Sequence, residues 1–227
     1  MKEVFKNNGT PALNERRVLI TRKLIRSFQD RGLLRTSTRG FLYFLRPILV
    51  RRRYRLYKID LTKTSPPPVE MDDFRFEMLR AEDTDIIEQI EQHSEWLSGQ
   101  LADKLRNGQI CVVALDGRKM VGFNLINFGC VEIPLLETTR QFRPDAAWSE
   151  HIAVHTDYRG RGLGARLRYF IFGELKKRGY KRLYGGTLGT NLPSLKLARK
   201  VGFSEYADVI YTKILFHKTW QFKKVRE

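Results

Sequence analysis

The chain has 227 residues, of which 42% are hydrophobic and 30% charged, and its formal net charge is +17. This is enough apolar side chain for a packed core, which excludes a disordered polyelectrolyte, and the length suits one domain with an extension or two small domains. Only two cysteines are present, Cys111 and Cys130; they do not make a disulfide framework and are expected as buried free thiols of a cytoplasmic protein.

The charge is uneven along the chain. Residues 1–60 carry 16 Lys/Arg against 4 Asp/Glu, and the remainder carries 26 against 21. A basic segment is thus expected over 1–61, followed by a proline-rich linker over 62–70 and a body of ordinary polarity over 71–227. The opening Met1-Lys2-Glu3-Val4-Phe5 lacks the apolar core of a signal peptide. The longest apolar run, Gly40 to Val50, is interrupted by Arg46 and Pro47, and a membrane span needs about 20 apolar residues.

Within the basic segment, Asn14–Leu34 predicts an amphipathic helix. Val18, Ile20, Leu24, Ile25 and Phe28 share one arc, and Arg16, Arg22, Lys23 and Arg26 the other, with Arg17, Leu19 and Arg31 as exceptions. That arc suits packing on the body or on a second subunit of a homodimer, and secondarily an anionic membrane surface at the cytoplasmic periphery. No nucleic-acid-binding motif accompanies the charge. Phe41–Val50 follows, then Arg51-Arg52-Arg53, then a strand candidate at Tyr54–Leu61. The three prolines Pro66-Pro67-Pro68 can continue neither a helix nor an interior strand.

Beyond the linker, strands and helices alternate. Phe74–Arg80 has the alternation of a half-buried strand, and Ile86, Ile87 and Ile90 the spacing of a helix over Ala81–His93. A second helix is expected over Glu95–Arg106. Ile110–Leu115 and Met120–Phe128, joined through Asp116-Gly117, read as an antiparallel hairpin. Further strands are expected at Ala147–His155, Arg182–Thr187 and Asp208–Phe216, with helices at Leu163–Arg178 and Leu192–Val201.

The sharpest motif is Arg159-Gly160-Arg161-Gly162-Leu163-Gly164-Ala165, between a strand-like run and a helical one. Glycines permit a tight turn and close backbone approach, and the helix start offers unpaired N–H groups to an anion such as a pyrophosphate. A turn that binds nothing would look the same in isolation. The spacing is not the G-x-G-x-x-G of a dinucleotide-binding unit, and the P-loop lysine is missing.

Arg159-x-x-Gly162-x-Gly164, with Ile152-Ala153-Val154 before it and Asn191, Ser194, Leu197-Ala198 and Gly202-Phe203 after it, resembles the GNAT superfamily of N-acetyltransferases over roughly Phe74 to Phe216. The resemblance implies an α/β (α+β) fold with a mixed, mostly antiparallel central sheet flanked by helices, to which the basic extension is added. It also implies acetyl-CoA as co-substrate, an amine acceptor and direct transfer. The pantetheine arm would lie between Ala147–His155 and Arg182–Thr187, pairing with the backbone of Ile152, Ala153 and Val154. The amides of Arg159, Gly160, Arg161, Gly162, Leu163, Gly164 and Ala165 would hold the pyrophosphate, with Asn191 and Ser194 beside the cofactor. Glu150, nine residues before Arg159, matches the basic glutamate of members similar to the spermidine/spermine acetyltransferases. In a regular strand it shares a face with Ile152 and Val154, opposite His151 and His155.

The family's thiolate-protonating tyrosine is Ala198 here, so the general acid falls to Ser194, to a tyrosine such as Tyr184, or to solvent. The loss also leaves open a non-catalytic CoA-binding module; a longer acyl donor is a further alternative. His93 and His217 have no partners at metal-ligand spacing, and no metal is expected. His151 and His155 read as rim or helix-facing histidines, and Trp96 as a wall of the acceptor region.

Overall fold

A computed structural model describes residues 49–65, 67 and 74–225. The helix expected over Asn14–Leu34 lies outside the described residues, as does the apolar run before Leu49. The chain divides into two compact units, one of Arg51–Tyr211 with Thr219–Glu227 and one of Met1–Val50 with Thr212–Lys218. Of the second, the described residues are Leu49, Val50 and Thr212–Lys218, within which Leu215 has a left-handed φ of 54° and Phe216 is exposed.

The strands are β1 (Leu49–Asp60), β2 (Arg75–Met78), β3 (Ile110–Asp116), β4 (Lys119–Phe128), β5 (Cys130–Ile133), β6 (Thr138–Gln141), β7 (Ala146–Val154), β8 (Arg182–Leu188), β9 (Ser204–Ile214) and β10 (His217–Lys224). The helices are α1 (Thr84–His93), α2 (Leu101–Arg106), α3 (Leu163–Lys177) and α4 (Leu192–Lys200). Eight strands form one sheet in the order β10-β9-β1-β8-β7-β4-β3-β2, and β5 with β6 makes a separate two-stranded sheet. The pairings of β1 with β8, β2 with β3, β3 with β4 and β4 with β7 are antiparallel; β7 and β8 run parallel. The sheet is mixed and mostly antiparallel, as the resemblance implies.

Alternation along β3 sorts the core into two layers. Val112 and Ala114 pack with Leu167, Ile171 and Phe172 of α3, together with Ala198 of α4. Cys111, Val113 and Leu115 pack with Ile87 and Ile90 of α1 and Leu101 of α2. Each fully buried Val, Leu, Ile or Phe among them contributes about 1.5–3 kcal/mol, so helices on both faces hold the sheet.

β1 precedes the proline-rich segment yet lies inside the sheet, between β9 and β8. Its arginines are partly neutralised there. Arg53 and Arg55 both donate to Asp208, and Arg55 also pairs with Glu205. Burial alone would raise the Asp208 pKa; the hydrogen bonds from Arg55 and Arg53 outweigh it and hold the carboxyl below its ordinary value.

The helix expected over Glu95–Arg106 is broken. A 3-10 turn at Glu95–Leu97 is followed by Gly99 at φ 69°, and α2 begins at Leu101. Both cysteines are free, but only Cys111 is buried; Cys130 is exposed at the start of β5.

Candidate active site

The site is organised by β7, which keeps one neighbour and loses the other. Its parallel pairing with β8 covers four residue pairs, from Ala146↔Arg182 to Ser149↔Gly185. Both strands run on, to Val154 and Leu188, and their outer pairings continue through Gly122↔Val154 and Tyr54↔Leu188. The seam between β7 and β8 therefore opens after Ser149, exposing the inner backbone edge of Glu150–Val154.

A bulge coincides with the opening. Leu125 faces His151 and Ile126 faces Ser149, so Glu150 is the extra residue on β7. A bulge bends its strand and increases the local twist, which supplies a physical reason for β7 to leave β8 here. It also overturns the facing expected for a regular strand. Ile152 and Val154 pack in the α3 layer. Glu150 instead meets Lys104 of α2, and His151 stacks on Phe123 of the opposite layer.

The open edge leads into the glycine turn. After a 3-10 turn at Thr156–Tyr158, Gly160 and Gly162 adopt φ of 80° and 77°, and α3 starts at Leu163. A Cβ on either glycine would meet nothing within 4 Å; glycine is needed there for backbone conformation. Among the described residues, no main-chain acceptor pairs with the amides of Gly160, Arg161, Gly162 or Leu163. They cluster at the positive end of α3, a ready anion site. Arg159 is tied back by a bond from Nε to the Val154 carbonyl (3.2 Å).

Edge, turn and α4 surround one cleft of about 1020 Å³. Of the residues proposed to contact the cofactor, Ile152, Ala153, Val154, Arg159, Gly160, Gly162, Leu163, Gly164, Ala165, Asn191 and Ser194 all line it. Arg161 does not; its guanidinium lies over the Tyr158 ring at 5.4 Å. Asn191 is the α4 N-cap, its side chain accepting from the Ser194 amide (3.3 Å), with Pro193 in the first turn. Gly164 brings α3 close to α4, since a Cβ there would stand 3.1 Å from Leu197.

The far wall of the cleft comes from the end of α1 and the turn after it, Gln92 through Trp96, with His151. Of this wall the sequence singles out Trp96, for the acceptor region, and His151, as a rim or helix-facing residue; the two rings pack at 5.1 Å. Burial, helped by His93 and then Arg168, pulls the His151 pKa from 6.5 down to about 4, so its imidazole is neutral at pH 7. His93 is shifted down as well, first by burial and then by His155 and Arg159.

Glu150 does not line this cleft. It sits behind it with a side chain 10% exposed, taking a 2.6 Å bond from Asn127 Nδ2 and pairing with Lys104 Nζ at 3.3 Å. Tyr184, weighed above as a general acid, lies outside the cleft against Phe142 and Tyr206. Ala198 is buried in the α3 layer.

One polar cluster escaped the sequence reading. Arg168 of α3 is fully buried under the last β7–β8 pair, donating from Nη1 to Ser149 Oγ (2.6 Å), which in turn donates to Asn124 Oδ1 (3.0 Å). A hydrogen bond with Tyr57 and the Phe203 ring at 5.4 Å complete its surroundings. Burial pulls this guanidinium below its ordinary pKa. No group of three or more potential metal ligands occurs among the described residues, and no described helix is long and apolar enough to cross a membrane.

Residues 71–203 match the family model described as Acetyltransferase (GNAT) family. Among solved structures, a GCN5-related N-acetyltransferase from Sphaerobacter thermophilus is 17% identical with a TM-score of 0.52, over 85% of this chain and 58% of that one. A putative GNAT acetyltransferase from Novosphingobium aromaticivorans is 15% identical with a TM-score of 0.52, over 76% and 69%. A Drosophila protein is 15% identical with a TM-score of 0.50, over 79% and 57%. The chain thus spans little more than half of the first and third of these. At such identities the likeness concerns the fold. No curated protein matches the chain.

Proposed function

Since the chain belongs to the Acetyltransferase (GNAT) family, we propose that it moves an acetyl group from acetyl-CoA directly to a primary amine. The observation that carries this reading is the open β7–β8 seam running into the glycine turn. Acetyl-CoA joins a thin amide-bearing arm to a diphosphate. An unpaired strand edge suits the first, and a cluster of free amides at a helix N-terminus the second.

In this reading Ile152–Val154 pair with the pantetheine amides through their main chain. Gly160, Gly162, Leu163 and Gly164 hold the pyrophosphate, with Arg161 contributing its amide and its charge. Asn191 and Ser194 flank the arm, and Ser194, which lines the cleft, or solvent protonates the leaving thiolate. The Val154 amide polarises the thioester carbonyl.

Glu150 is the general base. Glu150 stands at the bulge in the layer of α1 and α2, the layer of His151, which lines the cleft, so an acceptor nitrogen entering from that layer meets both the base and the thioester. Asn127 fixes the carboxylate, and its near-complete enclosure lets it act in a site poor in water.

A second reading, a CoA-binding module without turnover, draws on Ala198, which leaves the thiolate without the family's tyrosine. Calorimetric titration with acetyl-CoA and a thiol-release assay over a panel of primary amines test the proposal. Binding with thiol release on at least one amine is expected. Binding with no release on any amine favours the module, and no binding at millimolar acetyl-CoA overturns both.

A further inference from the structure

The candidate base already has an amine beside it, and that amine belongs to the chain. Lys104 Nζ lies 3.3 Å from Glu150 Oε1 and 3.4 Å from Oε2, on a side chain only 21% exposed. The same ammonium stands 5.9 Å from the centre of the Trp96 ring, and Trp96 lines the cofactor cleft. An aromatic face, a carboxylate and the Asn127 amide that steadies the carboxylate form a seat for an alkylammonium group. α2 fills that seat from within.

The bulge that carries Glu150 is fixed by main-chain pairing with β4, so the contact with Lys104 is not what sets the carboxylate's place on the strand. Its position at the opening of the seam is what sets it apart.

We propose that Lys104 is an intramolecular acetyl acceptor, modified by the chain's own active site when no external amine displaces it. The inference rests on the reading of Glu150 as base. The Lys104 ammonium gives one proton to Glu150, and the free amine attacks the thioester carbonyl. The C–N bond forms as the C–S bond breaks. The second proton leaves the nitrogen and reaches the thiolate, so the products are acetyl-Lys104, CoA thiol and one proton released to solvent. Acetylation removes the charge on Lys104. The ion pair is then lost, and the carboxylate becomes available to an incoming ammonium. Acetyl-CoA would thereby unlock the acceptor seat.

The test incubates the full chain with acetyl-CoA alone and follows acetyl occupancy at each lysine by peptide mass mapping, at several protein concentrations. Lys104 is expected to be modified at least about tenfold faster than exposed Lys63, through proximity, at a first-order rate unaffected by dilution, and Glu150→Gln is expected to slow it. Lys104 reacting no faster than Lys63, or at a rate that rises with protein concentration, overturns the proposal. A folding defect in Glu150→Gln does not spare it, because the dilution series on the unaltered chain decides alone. Thiol release on external amines without label at Lys104 removes this inference and leaves the proposed function standing. Absence of both acetyl-CoA binding and thiol release removes the two together.

Discussion

His151 shows how one side chain links the site to stability. It meets the Trp96 ring edge-on and the Phe123 ring at a tilt on the cleft wall, and its pKa falls from 6.5 to about 4 chiefly because it is buried. Below pH 6.5 the unfolded chain takes up a proton that the folded chain refuses, so stability falls as pH drops toward 4. His93 shifts in the same direction. Denaturant midpoints measured at pH 7 and pH 5 should therefore fall for the unaltered chain and fall by less for His151→Leu; parallel losses would contradict this origin. The sequence placed His151 on the strand face opposite Ile152 and Val154, as a rim or helix-facing histidine, but did not show which rings it would meet. The bulge at Glu150 was not legible, because it is a property of the pairing between β7 and β4. Glu150 was singled out through the family resemblance, nine residues before Arg159; its partners Lys104 and Asn127 were not foreseen, because α2 and β4 approach it only in the folded chain.

Among the elements, β8 and α3 carry glycines for opposite reasons. Gly185 and Gly186 lie against the Tyr57 and Tyr54 rings of β1, and a Cβ on Gly186 would stand 2.2 Å from a Tyr54 ring carbon. Tyr54 is itself 5% exposed, so the ring has little room to retreat. Gly186→Ala is expected to cost about 1–3 kcal/mol. Gly173, inside α3, would meet nothing within 4 Å. There Gly173→Ala should stabilise by about 0.5–1 kcal/mol, by removing backbone freedom from the unfolded chain. Chemical denaturation of the two variants checks both, and equal signs would contradict the packing described. The helices and central strands were legible because their apolar spacing matches burial. Two kinds of element were not. The break at Gly99 divides a run whose apolar residues still suit one helix. β10, exposed throughout, offers no buried face to read.

At the scale of the molecule, β1 is the unexpected part. Residues 1–60 stand out by charge, and the prolines after them were expected to link a separate basic extension to the body. Yet Leu49–Asp60 occupies an interior position in the sheet, and Leu56, Tyr57, Ile59 and the adjoining Leu61 are buried. A chain lacking residues 49–60 should lose cooperative thermal unfolding, because β8 and β9 would each lose a neighbour; a sharp melt from that deletion would contradict this. Charge thus reported composition but not architecture, since arginines on β1 are met by Asp208 and Glu205 from β9, far away in sequence.

The open seam between β7 and β8 bears the weight of the functional account, and amide hydrogen exchange with and without acetyl-CoA tests it most directly. Bound acetyl-CoA should slow exchange along Ile152–Val154 and Gly160–Ala165 and leave β2 and β3 unchanged. Binding that protects neither segment, or no binding at all, would contradict it.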